Sequence, residues 1–276
     1  MHMINLPSSR DHAELNLGNA AGVSDRGLRH HRNEDAMELA CEVTPDGPVV
    51  VAVVCDGVSS SPRPDEASHV AAQAALPVLM AAVRDGGDLM EASKAAVTAG
   101  RESVAQLDEP SNDTSATTFV SAVAAPGLVT VCWLGDSRAY WLTQPESESL
   151  QLTRDDSVAG GMVEAGLATE AAAMASPHAH VLTRWLGGDA ADLDGDPKRA
   201  PHVETYAPPG AGVLLLCSDG LWNYLPEAAD LAELALPKAL NDPLSAAVDM
   251  VQFAVEAGGA DNITAILIPY AAPEEP

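Results

Sequence analysis

The stretch VVVAVVCDG, residues 49–57, decides how the rest of the chain is read. Seven apolar, mostly β-branched residues run without a polar break, which is the length and texture of a strand buried on both faces. The run stops at Asp56-Gly57, a turn signal, so a carboxylate stands where a buried strand ends. GVLLLCSDG, residues 212–220, repeats the arrangement with Asp219-Gly220. Further strand-like runs are read at Thr118–Val123, Leu128–Leu134 and Asn262–Ile268. Alanine-rich stretches at Asp65–Arg84, Asp88–Leu107, Ser157–Ala175 and Leu244–Ala257 read as helices, the first kinked or split at Pro77. Strands and helices come in groups rather than in strict alternation, so the fold class expected is α+β with antiparallel sheets.

Residues 1–18 are polar and lack periodicity, which predicts a loose arm; 19–270 are expected to form a single domain, and 271–276 a tail. The chain has 276 residues, 47% of them hydrophobic and 20% charged, which suits one large packed domain and excludes global disorder. Asp and Glu total 40 against 14 Lys and Arg, a net charge of −26. That excess argues against nucleic-acid or anionic-membrane partners, since both are polyanions. The opening MHMINLPSSRDHAELNLGNA lacks a basic segment followed by an apolar one, and no apolar run approaches the ~20 residues of a membrane span. Cys41, Cys55, Cys132 and Cys217 fit no zinc spacing and read as reduced thiols of a cytoplasmic protein.

The acids fall at strand ends. Besides Asp56 and Asp219, Asp261 precedes the strand of GADNITAILI, Asp136 lies in the turn of VTVCWLGDSRAYWL, and Glu34 and Asp35 stand side by side in RNEDAMEL. A sheet holds such carboxylates accurately, and several that converge repel one another unless a cation sits between them. Mg²⁺ and Mn²⁺ take oxygen ligands and suit that place. A single Asp-Gly after a strand is equally a plain turn, and composition does not show that five distant segments meet.

The ordered set NEDA (33–36), VVCDGV (53–58), ATT (116–118), LGDSRAYWL (134–142), LTRDDS (152–157), LTRWLGGD (182–189), LLLCSDGLW (214–222) and ADNITAIL (260–267) resembles the metal-dependent protein phosphatases, the type 2C serine/threonine family, in compact bacterial form. The resemblance runs from about Gly22 to Ile268. It implies a central sandwich of two antiparallel β-sheets with helices on both outer faces, and a centre of two Mn²⁺ or Mg²⁺ ions with a third site. By position it implies Asp56, Asp219 and Asp261 as catalytic metal ligands, with Glu34 and the Gly57 carbonyl on the second ion and Asp136 at the third. It implies Asp35 as a supporting acid, Asn262 as the residue holding the Asp261 turn, and Arg138 as structural.

The activity implied is hydrolysis of protein phosphoserine and phosphothreonine by a metal-bridging hydroxide, without a phosphoenzyme. The protein would be monomeric and would counter a bacterial serine/threonine kinase in signal transduction. Where the family carries a phosphate-gripping arginine this chain has His30, with Arg29 as second candidate; Val58 replaces a histidine, Ser59–Ser61 a glycine pair, and Asp156 another histidine. Those departures motivate the competing reading, a module that binds phosphoproteins without turnover. Residues 155–177 match a flap beside the active site. His178 and His180 read as surface residues rather than ligands, and Trp185 and Trp222 as core anchors.

Overall fold

The computed structural model describes residues 11–107, 114–187 and 200–271. Two antiparallel sheets face each other. One has six strands in the order β1 (His12–Asn16), β2 (Ala21–Asp25), β13 (Ile263–Tyr270), β12 (Gly212–Cys217), β8 (Arg138–Leu142) and β9 (Leu150–Gln151). The other has five, in the order β11 (His202–Tyr206), β7 (Leu128–Leu134), β6 (Phe119–Ala125), β4 (Gly47–Asp56) and β3 (Asp35–Thr44). A small ladder joins β5 (Ala116–Thr117) to β10 (Leu186–Gly187).

Side-chain alternation builds three cores from these strands. In β12, Leu214 and Leu216 point between the sheets, while Val213, Leu215 and Cys217 point outward under α6 (Ala228–Ala239) and α7 (Pro243–Ala257). In β4, Val50, Ala52 and Val54 point between the sheets, and Val49, Val51, Val53 and Cys55 lie under α1 (Pro64–Asp85) and α2 (Leu89–Ala105). The uninterrupted apolar runs are therefore strands covered on both faces, and the layers are helix, sheet, sheet, helix. Trp133 and Trp141, both fully buried, fill the space between the sheets.

Several elements differ from expectation. Residues 12–16 are not loose: they pair with β2, and the alternation of Ala13 and Leu15 with polar neighbours is too short to stand out in the sequence. Residues 1–10 of that arm, and 272–276 of the tail, lie outside the described residues. Pro77 does not split α1. Pro77 and Gln73, the residue whose carbonyl would have bonded the missing N–H, both lie on the exposed side, where such a carbonyl is open to solvent. By length and hydropathy alone α1 would suit crossing a membrane, but Ala67, Ala71, Ala75 and Leu79 are fully buried in the core, so it is a core helix. The helix read at 157–175 is two, α3 (Val158–Glu164) and α4 (Glu170–Met174), separated by a turn with Gly166 at φ 66°. The three buried cysteines and half-buried Cys41 are all unpaired.

Truncating Trp141 should leave a cavity between the sheets. Trp141→Ala is expected to cost about 3–5 kcal/mol of unfolding free energy, read by urea denaturation.

Candidate metal centre

The ends of both sheets converge at one edge of the sandwich. Asp56 is the last residue of β4 and Asp35 the first of β3, and the two stand directly opposite in the antiparallel register. Asp219 opens the short helix α5 (Asp219–Trp222) immediately after β12, and Asp261 lies two residues before β13 begins. Asp136 sits in the turn between β7 and β8, where Gly135 takes φ 102° and packs against Thr118. Asp56, Gly57, Asp136, Asp219 and Asp261 all line one cleft of about 820 Å³.

Backbone pairing fixes this edge. Asp56 N–H donates to Thr118 Oγ1 at 3.0 Å, and its carbonyl accepts from Thr118 N–H at 2.7 Å and Thr117 Oγ1 at 2.9 Å. Gly57 N–H donates to the Glu34 carbonyl at 3.0 Å, and a side chain at 57 would run into the Pro64 and Glu34 carbonyls. Glycine is required there by close approach, not by an unusual dihedral.

The acids do not share one environment. Asp35 accepts from the hydroxyls of Ser218 and Thr264, each at 2.7 Å, as a supporting group would. Glu34, 7% exposed, accepts from Ser59 Oγ at 2.6 Å and Arg32 Nε at 3.1 Å. One oxygen each of Asp35 and Asp219 is buried with no hydrogen-bond partner. Burial first, then neighbouring carboxylates, pushes Asp56 and Asp219 well above the usual carboxylate range. Burial is also the largest cause at Asp35 and Asp136, each raised to about 7. Ionised together in a dry edge, these groups are unstable without a positive partner. At the rim, Arg32 pairs with Glu34 and the His30 ring stands beside Glu34 and Asp261, while the charge of Arg138 acts on Asp136. Orphaned carboxylate oxygens beside a backbone carbonyl form a hard oxygen donor set that fits divalent Mn²⁺ or Mg²⁺.

Of the two phosphate candidates, His30 reaches the cluster: Nε2 lies 3.1 Å from Asp261 Oδ1 and Nδ1 3.9 Å from Glu34 Oε2. Arg29 is exposed and makes no ion pair among the described residues. Asn262 does more than hold its own turn. Its Oδ1 accepts from Glu34 N–H at 2.8 Å, and its Nδ2 donates to the Arg26 and Arg32 carbonyls at 2.8 and 3.1 Å. It thereby pins the loop that carries His30 and Glu34 against the Asp261 turn.

Arg138 is structural. It grips Asp155 through two bonds of 2.9 and 2.8 Å, donates to Tyr140 Oη at 2.9 Å and lies 3.7 Å from the centre of the Trp222 ring. Trp222, 2% exposed, is a core anchor and donates from Nε1 to the Asp136 carbonyl at 2.9 Å. Trp185 is not one: 38% exposed, it lines the cleft. Asp156 accepts from Gly135 N–H at 3.2 Å and pairs with His202 at 3.0 Å, tying the base of the flap to the Asp136 turn. The sequence reading passed over Ser59 as a partner of Glu34. His180 is exposed, as a surface residue would be, and the flap brings it into the cleft. The only sequence signal for His180 was its place in an H-x-H pair.

The chain is similar to known proteins. The sequence profile of the family described as Protein phosphatase 2C matches residues 26–247. The serine/threonine protein phosphatase PstP of Mycobacterium tuberculosis is 28% identical over 255 residues, 90% of this chain, and the chain spans 44% of that protein's length. The serine/threonine phosphatase stp of Listeria innocua is 31% identical over 256 residues, covering 89% of this chain and 93% of that protein. A crystal structure of the PstP catalytic domain in complex with two manganese ions superposes with a TM-score of 0.68 at 26% identity, covering 90% of this chain and 96% of that one.

The raised carboxylates set a sign for stability against pH. Below about pH 4 these groups are protonated in folded and unfolded chains alike. Between there and about 7 the folded chain keeps protons that the unfolded chain has released, so metal-stripped protein loses stability as pH rises. The melting temperature in EDTA should be lower at pH 8 than at pH 5.5, with Asp136→Asn flattening the slope. Mn²⁺ should raise it more at pH 8, because ion and proton compete for the same oxygens.

Proposed function

Because the chain belongs to the protein phosphatase 2C family, a family of serine/threonine protein phosphatases, we propose that it hydrolyses phosphoserine and phosphothreonine in proteins at this carboxylate centre. The observation that carries the proposal is the convergence of Asp56, Asp136, Asp219 and Asp261 in one cleft, with Glu34 and the Gly57 backbone at its edge. Asp56, Asp219 and Asp261 would hold one Mn²⁺ or Mg²⁺ ion, Asp56, Glu34 and the Gly57 carbonyl a second, and Asp136 with Asp219 a third. Ions bound there supply a hydroxide near neutral pH and positive charge for the phosphoryl oxygens.

The chain's own groups do the positioning. Asp35, fixed by two hydroxyls, faces Asp56 across the ladder and orients it. His30 stands at the rim between Asp261 and Glu34, where its ring takes the place of the phosphate-gripping group. Thiol chemistry does not compete: burial pushes the Cys55, Cys132 and Cys217 thiols up, so none is a thiolate near neutral pH. Unpaired cysteines suit a reducing compartment, so we place the protein in the cytoplasm, as a monomer opposing a bacterial serine/threonine kinase.

Turnover of a phosphothreonine peptide should require Mn²⁺ or Mg²⁺ and stop with EDTA. Asp56→Asn and Asp219→Asn should each lower kcat by at least ~100-fold with the fold intact by circular dichroism. Phosphopeptide binding without turnover in the metal-loaded wild type would instead support a binding module.

A further inference from the structure

The flap places an imidazole beside two of the carboxylates. His180 follows α4 and is held by backbone on both sides. The Ala179 carbonyl accepts from Ala159 N–H at 3.2 Å, and the Val181 carbonyl accepts from Val158 N–H at 2.9 Å. Its ring stacks on Trp222, with centroids 6.1 Å apart and an interplanar angle of 29°. A ring nitrogen and one oxygen each of Asp136 and Asp219 lie within 4.8 Å of one another. Donors around a small divalent ion bonded at about 2.0–2.2 Å are at most about 4.4 Å apart, so small side-chain rotations bring these atoms into range.

Independent features of the site point to a ligand. Asp136 is only 6% exposed, and Asp219 Oδ1 is buried without a hydrogen-bond partner. Trp222 braces two of the three groups at once, through its bond to the Asp136 carbonyl and its face against His180, and Arg138 locks the indole from another side. A histidine that merely decorated the surface would have no reason to share its support with a buried carboxylate turn.

We propose that His180 is a metal ligand contributed by the flap, completing a His-Asp-Asp site with Asp136 and Asp219. The proposal deepens the metal-dependent reading above and rests on it. Two consequences follow from the chemistry. A nitrogen donor favours Mn²⁺ or Co²⁺ over Mg²⁺ at this site relative to an all-oxygen set. The site is complete only with the flap docked, so ion occupancy and flap position are linked, each favouring the other.

The test is metal binding to the whole chain without substrate. Mn²⁺ is titrated into stripped wild type, His180→Ala, His30→Ala and Asp56→Asn, and nitrogen coupling is read from the electron spin-echo of the Mn²⁺-loaded proteins. His180→Ala should weaken the weakest of the ion sites by at least about tenfold, leave the tighter pair unchanged and lose imidazole modulation that His30→Ala retains. An unchanged weak site in His180→Ala, or modulation that follows His30 instead, would overturn the inference while leaving the two-ion reading standing. A wild type that takes up no Mn²⁺, indistinguishable from Asp56→Asn, would refute both. His180 lies on the exposed flap, so its loss leaves the cores intact.

Discussion

Mutual repulsion among carboxylates in a dry sheet edge is the constraint on which the rest of the structure depends. Asp35 and Asp56 face each other across a paired ladder, and Asp219 and Asp261 border strands of the opposing sheet. None can swing away, because each backbone is held by its sheet or by a neighbouring turn. Burial removes the water that would otherwise screen Asp35, Asp56 and Asp219, and their pKa values rise accordingly. Carboxylates held this way repel one another unless protons or cations offset their charge, and that conflict is what suits the centre to a cation.

The surroundings read as devices for keeping these acids in place. Asn262 ties the loop of Glu34 to the Asp261 turn, Trp222 fixes the Asp136 carbonyl, and the Asp156 carboxylate holds the Gly135 N–H beside it. Arg138 joins the flap to the same turn through Asp155 and, at 3.4 Å, Glu170. The flap is thus fastened at its base to the element that carries Asp136, while His180 and Trp185 reach into the cleft from it. Geometry at the ion centre and geometry of the flap are therefore parts of one network.

Much of this was legible in the sequence, for physical reasons. The apolar runs of β4, β7 and β12 stood out because both faces of each strand are buried. The acids stood out because each ends or borders such a run. The five-residue edge strand β1 and the half-exposed β3 did not, since their patterns are short or diluted by polar residues. The helix α6, with Pro237 inside it, was missed for a similar reason. Trp185 was misread as a core anchor, and the neighbours of exposed His180 were not legible, because both sets of surroundings come from chain folding: nothing near residue 180 in sequence marks Asp136, Asp219 or Trp222 as its neighbours. The net charge of −26 takes on a narrower meaning, since only Glu34, Asp35, Asp56, Asp136, Asp219 and Asp261 of the forty acids belong to the proposed centre.

The most direct measurement of the central claim is anomalous diffraction from crystals grown with Mn²⁺, collected at the manganese edge. The account predicts strong peaks within bonding distance of Asp56, one shared with Asp219 and Asp261 and one beside the Gly57 carbonyl. No anomalous density at the Asp56 carboxylate in ordered, Mn²⁺-saturated crystals would contradict it.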